Sequence, residues 1–596
     1  MGAVKRAFKD IREFIELLDS LGELRRVREP VSPEIEIPKI VDAESKKPGG
    51  GKALLFENVV DGGKRAFCVA ANLFGSDSRM SLAIGAKSLA ESGGEIAQIA
   101  EMSPPKSFSD IFSAAKKFFP LLKIFPKTVS GTPPCQEVAK YGDDVDLSEI
   151  PVLKCWPKDG GRFVTLPLVF TKSADGKMRN LGMYRLQIYD KNTTGMHWHV
   201  HKDGSHFFRE YEKLGRRMEV AVAIGADPAT IYAATAPLPR GADELLLAGF
   251  LRKSGVRLAK CKTVDLEVPA DAEFVLEGYV DPGERRLEGP FGDHTGYYSL
   301  PDMYPVFHVT ALTRKRNPVY CATLVGPPPM EDCYMAKATE RIFLPLLRAV
   351  NPDIREYFLP WEGVFHNISI VSLRKEFPAH ARRLASGIWG AGQMSFCKCV
   401  VAVGEEDDPS DLKHVWELFK NSFDPSSDME ISSGVLDALD HAAPRPLEGS
   451  KISIDLTPRL PSEAPRAPKP LKTPDGAQTG KISDFLRKEL GGVAAVKFAD
   501  AFCAVSLDKD GRSGRAIAEK CARSGLFDGF FRALAFFDAE IDVSDFSKML
   551  WKIFNNTDPA RDILALGSGL VIIDACKKGK ADGYPREWPD DLSFDK

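Results

Sequence analysis

Phe274-Val275-Leu276-Glu277-Gly278-Tyr279-Val280, followed after a short gap by Leu287-Glu288-Gly289-Pro290-Phe291-Gly292-Asp293-His294-Thr295-Gly296-Tyr297, decides how this chain is read. The first segment is rich in β-branched and aromatic residues and is expected to be a strand over 274–280. The second sets two carboxylates five positions apart across a Gly-Pro-Phe-Gly bend. Glycine and proline favour tight turns, so the bend can aim Glu288 and Asp293 into one cavity. Two carboxyls held close titrate apart, and one of them is then able to keep a proton near neutral pH. The residues therefore point to proton-transfer chemistry. Strand signals continue at 164–171, 182–189, 220–224, 264–268 and 306–311, so the centre of the chain is expected to be an antiparallel β barrel or sandwich.

Working outward, Ile11, Phe14, Ile15, Leu17, Leu18 and Leu21 give helical spacing over 10–29, and short strands follow at 53–56 and 67–70 around a Gly-rich turn. The region 105–135 is rich in Phe, Lys and Pro and suits a helix leading into a linker, and 336–350 predicts an amphipathic helix. The C-terminal half repeats itself. A shift of 134 places Val371-Ser372-Leu373 on Val505-Ser506-Leu507, Ser410-Asp411 on Ser544-Asp545 and Asp424-Pro425 on Asp558-Pro559. It also pairs Asp428 with Asp562, Leu436 with Leu570 and Asp440 with Asp574. Identities at one constant offset predict tandem copies of one α/β module. Prolines at 458, 461, 465, 468, 470 and 474 mark an extended linker between them. The second copy is expected to be a structural or assembly appendage.

With 596 residues, two to four domains are expected. A formal net charge of -3 and a pI near 6.4 argue against nucleic acid or an anionic membrane as partner. No apolar run reaches the roughly 18 residues of a membrane span, and Met1 to Asp10 lacks the apolar core of a signal peptide, so a cytoplasmic protein is expected. Eleven cysteines, an odd number without a CxxC pair, match reduced thiols. Cys397 and Cys399 flank Lys398 on an expected strand, which puts both thiols on one face and Lys398 on the other.

Three further segments occur in order before the Glu288–Asp293 bend: Asn180-Leu181-Gly182-Met183-Tyr184-Arg185, Thr194-Gly195-Met196-His197-Trp198-His199-Val200-His201-Lys202, and Ala236-Pro237-Leu238-Pro239-Arg240-Gly241-Ala242-Asp243-Glu244. Together the four resemble the UbiD family of prenylated-flavin-dependent decarboxylases, over roughly residues 10 to 460. Removing CO2 from an unsaturated or aromatic carbon needs an electron sink that side chains do not provide. No GxGxxG fingerprint after a strand and no Walker A loop occurs, so a prenylated FMN held through a metal-bridged phosphate is what the resemblance implies.

The implied fold is an α+β and α/β multidomain protein. It has an N-terminal α/β domain (1–130), a central split β-barrel binding prenylated FMN and metal (131–330), a linking helix with a C-terminal α/β domain (331–460), the Pro-rich linker (461–481) and the second copy (482–596). The implied metal ligands are Asn180, His201 and Glu244, a set suited to Mn²⁺ or a similar divalent ion. A K⁺ or Na⁺ is implied at the Ala234-Thr235-Ala236 backbone. His197, His199 and His201 alternate, and on a strand they share one face, which leaves the choice among them open. Flavin contacts are implied for Thr165, Met183, Tyr184, Arg185, His197, Trp198, His199 and Lys202, with Lys398 as the phosphate-binding lysine. Arg185, Glu288 and Asp293 match the catalytic trio, with Asp293 as proton donor.

The Asp293-His294-Thr295 variant and the His-rich segment resemble the quinone-biosynthesis branch, whose substrate is a 4-hydroxybenzoate with a polyprenyl tail or the naphthoate equivalent of menaquinone synthesis. The resemblance also implies a flavin prenyltransferase supplying the cofactor, a homo-oligomer (dimer or hexamer) and transient contact with the inner membrane surface. Three alternatives stay open: a decarboxylase or carboxylase of simple aromatic or acrylic acids, a metal hydrolase built on His197, His199 and His201, and a non-catalytic assembly scaffold.

Overall fold

A computed structural model describes residues 7–94, 96, 122–466 and 470–595. Part of the 105–135 segment lies outside the described residues. The protein is a mixed α/β molecule with two compact units, residues 1–342 with 590–596, and residues 343–589. The helix Glu331–Val350 carries the chain from one to the other.

In the first unit, Asp10 caps the helix Ile11–Ser20 by accepting the Arg12 and Glu13 N–H groups. The expected helix over 10–29 stops there, because Gly22 takes a left-handed φ of 72° and the chain turns into the strand Leu24–Val27. Strands Leu24–Val27, Ala53–Phe56, Cys68–Ala71 and Val319–Cys321 form one sheet. A second sheet of seven strands runs in the order Arg179–Gly182, Pro167–Lys172, Met218–Ile224, Phe274–Glu288, Asp302–Arg314 and Thr193–Gly195, with Val138–Tyr141 also on Asp302–Arg314. The sheet is antiparallel and open, so the expected β-rich centre is present without closing into a barrel. The strand expected at 264–268 shrinks to Glu267–Pro269, because the Glu277 carboxylate accepts the Lys262 and Thr263 N–H groups and fixes a turn. One apolar core, including Val27, Phe56, Trp156, Val222, Leu276 and Leu592, underlies both sheets.

In the second unit, two five-stranded sheets share one topology. Ile354–Phe358, Ile368–Leu373, Cys399–Gly404, Glu448–Asp455 and Met429–Val435 form the first, and Val493–Ala499, Phe502–Leu507, Ala533–Asp538, Val571–Asp574 and Ile563–Ala565 the second. In each, three central strands are parallel and both edges antiparallel. The 134 shift carries Ile368–Leu373 onto Phe502–Leu507, Cys399–Gly404 onto Ala533–Asp538 and Leu412–Ser422 onto Phe546–Asn556. It fails beyond Asp562. The connection between Met429–Val435 and Glu448–Asp455 takes twelve residues, and its counterpart after Ile563–Ala565 takes five. Leu436/Leu570 and Asp440/Asp574 are therefore not structural equivalents; strand pairing makes Asp455 the counterpart of Asp574. The linker is extended only in part, since Asp475 caps a helix at Gly476–Phe485.

The copies are joined by a buried polar seam. Ser450 Oγ donates to Asp558 Oδ1 at 2.5 Å, Asn367 Nδ2 to Asn555 Oδ1 at 3.0 Å, and Lys398 Nζ to the Thr557 carbonyl at 2.8 Å. Phe423, Ile452, Val571, Phe554 and Ile573 pack together beside it.

Candidate active site

The bend that opened the sequence reading is a short hairpin at the end of the long strand Phe274–Glu288. Phe291–Gly292 pairs with Tyr298–Ser299, and Asp293 sits in the connection, its N–H donating to the Tyr297 carbonyl at 3.0 Å. Gly289 adopts φ 95°, a conformation that favours glycine. Gly292 is required for space, because a Cβ there would lie 2.1 Å from Trp156 Cδ1. The hairpin is pinned from below by Asp159, whose carboxylate accepts the Gly292 N–H at 2.7 Å, Trp156 N–H at 2.9 Å and Cys155 N–H at 3.1 Å. Burial pushes the Asp159 carboxyl up to about 7 against those donors.

Arg185 joins the two carboxylates. Its Nε and Nη2 donate to Glu288 at 2.7 and 2.9 Å, its Nη1 donates to Asp293 Oδ2 at 2.6 Å, and Nη2 also donates to Ser299 Oγ at 3.0 Å. The guanidinium lies 4.4 Å from the Phe291 ring centroid. Glu288 is fully buried, and its second oxygen meets His197 Nδ1 at 3.2 Å. His197 stacks on Tyr304 at 4.2 Å and reaches His199 Nε2 at 2.8 Å.

Burial alone would raise both carboxyls. For Glu288, the Arg185 charge and hydrogen bonds from His197 and Arg185 outweigh burial and hold it at about 2. For Asp293, the His294 hydrogen bond and the Arg185 charge drive it well below the usual carboxylate range. The expectation that one of the pair keeps a proton near neutral pH is thus corrected for the resting site: a guanidinium stands between the two anions and favours both. Burial and the Arg185 charge also depress the His197 imidazole, against the pull of Glu288.

A second group lies on the edge strand Arg179–Gly182 and the first turn of the helix Glu244–Arg252. Glu244 Oε2 accepts the Leu181 N–H at 3.0 Å, and Asn180 Nδ2 donates to the Tyr184 hydroxyl at 3.4 Å. Both Asn180 and Glu244 are buried, and Glu244 has no Lys or Arg partner among the described residues. Burial raises its carboxyl to about 7. A buried carboxylate without a cation, bonded to the strand that carries Asn180, fits a divalent metal ion, which would restore the anionic form.

None of His197, His199 and His201 lies on a strand. The strand Thr193–Gly195 ends first, and His201 is exposed in the turn before the helix Asp203–Lys213. Among the described residues, the three imidazoles do not converge as a ligand cluster with acids or thiols; the one such group is Asp281, Glu284 and His308. That removes the geometric basis of the hydrolase reading. Thr165 is buried, with its hydroxyl accepting the Thr323 N–H at 3.1 Å, while Met183, His199 and Lys202 are half-buried. Tyr184 is buried beside Asn180. The Ala234 carbonyl accepts the Met183 N–H at 3.0 Å. Trp198 is packed in the core against Phe208 at 5.3 Å, the ordinary place of an aromatic beside a sheet.

Lys398 belongs to the other unit. Its ammonium, 3% exposed, pairs with Asp440 at 2.8 Å and the Thr557 carbonyl. This ion pair already supplies the compensation that a phosphate was expected to provide. Cys397 and Cys399 likewise depart from expectation: the strand starts only at Cys399, and the two thiols enter different apolar clusters. Sequence reading missed Trp156, Asp159, Ser299, Tyr304 and residues 590–594. The Trp156-Pro157-Lys158-Asp159-Gly160-Gly161 turn carried a signal for Asp159; nothing in sequence pointed to the others.

The chain was compared with known proteins. The profile of the UbiD 3-octaprenyl-4-hydroxybenzoate carboxy-lyase Rift-related domain matches residues 127–328, its N-terminal domain matches 15–98, and its C-terminal domain matches twice, at 333–456 and 481–575. A protein of Archaeoglobus fulgidus is 47% identical over 453 residues, 76% of this chain and 92% of that one. The closed form of Sedimentibacter hydroxybenzoicus vanillic acid decarboxylase is similar with a TM-score of 0.67 and 26% identity, over 81% of this chain and 99% of that one. An evolved dimeric form of HmfF from Pelotomaculum thermopropionicum, in complex with prFMN, aligns with a TM-score of 0.63 and 28% identity over 77% and 97%.

Proposed function

The chain belongs to the UbiD family of carboxy-lyases, and from that premise we propose that it removes CO2 from a hydroxyaryl carboxylic acid of quinone biosynthesis, with Asp293 returning the proton. The observation that carries this reading is the position of Arg185, held bidentately by Glu288 while one remaining nitrogen rests on Asp293. Glu288 fixes the guanidinium, so an incoming aryl carboxylate competes with Asp293 alone for Nη1. Once that exchange occurs, Asp293 is a buried carboxylate that has lost the Arg185 charge and keeps only its His294 contacts, so burial weighs more heavily toward its protonated form. The acid proton stands ready for the ring carbon that loses CO2. His197, stacked on Tyr304, covers the second oxygen of Glu288.

Prenylated FMN, when bound, supplies the electron sink that the side chains lack. Asn180, His201 and Glu244 are the residues proposed to hold a Mn²⁺-type ion beside the cofactor phosphate. Thr165, Met183, Tyr184, His197, His199 and Lys202 are the proposed flavin contacts, and a K⁺ or Na⁺ is assigned to the Ala234–Ala236 backbone. A flavin prenyltransferase is the proposed source of the cofactor, and a homo-oligomer the proposed assembly. Among the described residues no helix is long and apolar enough to cross a membrane, so a lipid-tailed substrate would be met at the membrane surface.

The quinone assignment rests on the Asp293-His294-Thr295 variant and on the substrate in the family's own description. The competing reading, a simple phenolic acid, is favoured by the likeness to vanillic acid decarboxylase. Anaerobic CO2 release from protein loaded with prenylated FMN and Mn²⁺ decides between them. Turnover of tail-bearing hydroxybenzoate or naphthoate acids is expected. Turnover of vanillate without either would overturn the quinone assignment, and no release from any aryl acid would overturn the decarboxylase reading.

A further inference from the structure

The chain returns to the first unit at Asp590, and the segment it brings there touches the loop that carries Asp293. Asp591 faces Tyr297 as an antiparallel β bridge. The Tyr298 N–H donates to the Asp590 carbonyl at 3.0 Å, and the Leu592 N–H donates to the Gly296 carbonyl at 2.9 Å. The two-stranded hairpin thereby gains a bridging segment held by two backbone hydrogen bonds. Lys158 Nζ meets the Asp590 carboxylate at 2.6 Å.

The side chains finish the contact. Phe594 stacks on Trp156 with ring centroids 4.3 Å apart. Trp156 in turn lies against Gly292 and Gly326, and its indole N–H donates to the Val325 carbonyl at 3.0 Å. Leu592, also buried, reaches the same Gly292 from its own side. Gly292 immediately precedes Asp293, so the backbone that aims the carboxylate is caught between Trp156, Leu592 and the Asp159 clamp. An isolated two-stranded hairpin is marginal in water. The bridging segment and a packed aromatic face convert it to a fixed element.

We propose that Asp590, Leu592 and Phe594 are positioning residues for Asp293, acting through Tyr298, Gly296 and the Trp156–Gly292 contact; this rests on Asp293 being the proton donor. A general acid loses much of its rate when it moves by about 1 Å. The strap is thus expected to govern kcat and to leave the flavin and metal residues, which lie on other elements, undisturbed.

The test uses full-length protein loaded with prenylated FMN, as Leu592→Ala, Phe594→Ala and the conservative Leu592→Ile and Phe594→Tyr. Amide exchange of the 289–299 peptide is followed alongside kcat, KM and flavin absorbance across pH. The alanine variants should speed exchange at Tyr298, lower kcat at least tenfold with KM within threefold, and keep wild-type flavin content; the conservative pair should restore kcat. Unchanged exchange, or faster exchange with wild-type kcat, would overturn the strap. Asp293→Asn separates the two claims: if it turns over normally, the donor assignment fails, whereas an inactive Asp293→Asn beside fully active strap variants refutes the strap alone. If either alanine variant misfolds, Leu592→Val and Phe594→Leu, which trim the same contacts without emptying the core, replace them under the same criteria.

Discussion

Replacing Glu288 by Gln tests the charge balance of the site without changing its shape. The carboxyl drops from its ordinary 4.5 to about 2, against burial, because Arg185 and His197 favour the anion. At about 1.4 kcal/mol per tenfold change in proton affinity, the difference is roughly 3 kcal/mol of stability at neutral pH. The sign follows from the direction: a depressed acid stabilises above its unfolded value and loses that contribution as pH falls toward its folded value. The gap between wild type and Glu288→Gln should therefore be roughly 3 kcal/mol at pH 7 and shrink to roughly 2 kcal/mol by pH 3.5. Urea unfolding of the flavin-free proteins, followed by tryptophan emission across that pH range, measures it; Trp156 and Trp198 report on the first unit. The same variant should lose turnover by at least about a hundredfold, because Arg185 then has one anchored partner fewer and settles on Asp293. A Gln variant as stable as wild type at pH 7, or a gap that does not change with pH, would refute the account of Arg185 as the group that holds both anions.

Three further outcomes follow from the geometry. Asp293→Asn should keep flavin and lose turnover by about a hundredfold or more, read by absorbance and CO2 release; full turnover would remove it as donor. Glu244→Ala should lose both metal and flavin, checked by metal analysis of the reconstituted protein, and a still-coloured variant would contradict a metal bridge. Lys398→Met should destabilise the second unit by about 3–5 kcal/mol by stranding Asp440 in the seam, with flavin affinity unchanged. Adding Asp440→Leu should recover much of that loss; a Lys398→Met protein of normal stability with weakened flavin binding would return the lysine to its phosphate role.

Much of the scaffold was legible because periodicity and repetition are local signals. The strand at Ala53–Phe56 and the core of Met218–Ile224 declared themselves by composition, and the tandem module by its constant offset. The repeat lost its register where a hairpin shortened, since loop length is free to vary while strand pairing is not. The catalytic trio was legible as a motif, but its charge state was not, because it depends on Arg185 standing between two acids that are over a hundred positions from it. Lys398 misled for the same reason. A buried ammonium announces a need for an anion, but sequence does not say whether Asp440 or a phosphate answers it. The strand assumed beneath His197, His199 and His201 was not legible either, because it ends at Gly195.

The second module is harder to regard as an appendage once its contacts are counted as chemistry. Asp558 accepts both the Ser450 N–H and hydroxyl, Asn555 takes the Asn367 amide, and Thr557 takes Lys398, all buried. Removing the second copy would take those partners from the first copy and bare Phe423 and Ile452 to water, so the first copy would lose apolar burial as well as its seam hydrogen bonds, with Lys398 keeping only Asp440. The same deletion, if carried through residue 595, would also take Leu592 and Phe594 from the Asp293 hairpin. Loss of activity in a protein cut after residue 475 would therefore have two separable origins, a destabilised first copy and a loosened proton donor. Restoring the seam cannot repair the second, and restoring the strap cannot repair the first, because the two sets of contacts share no residue.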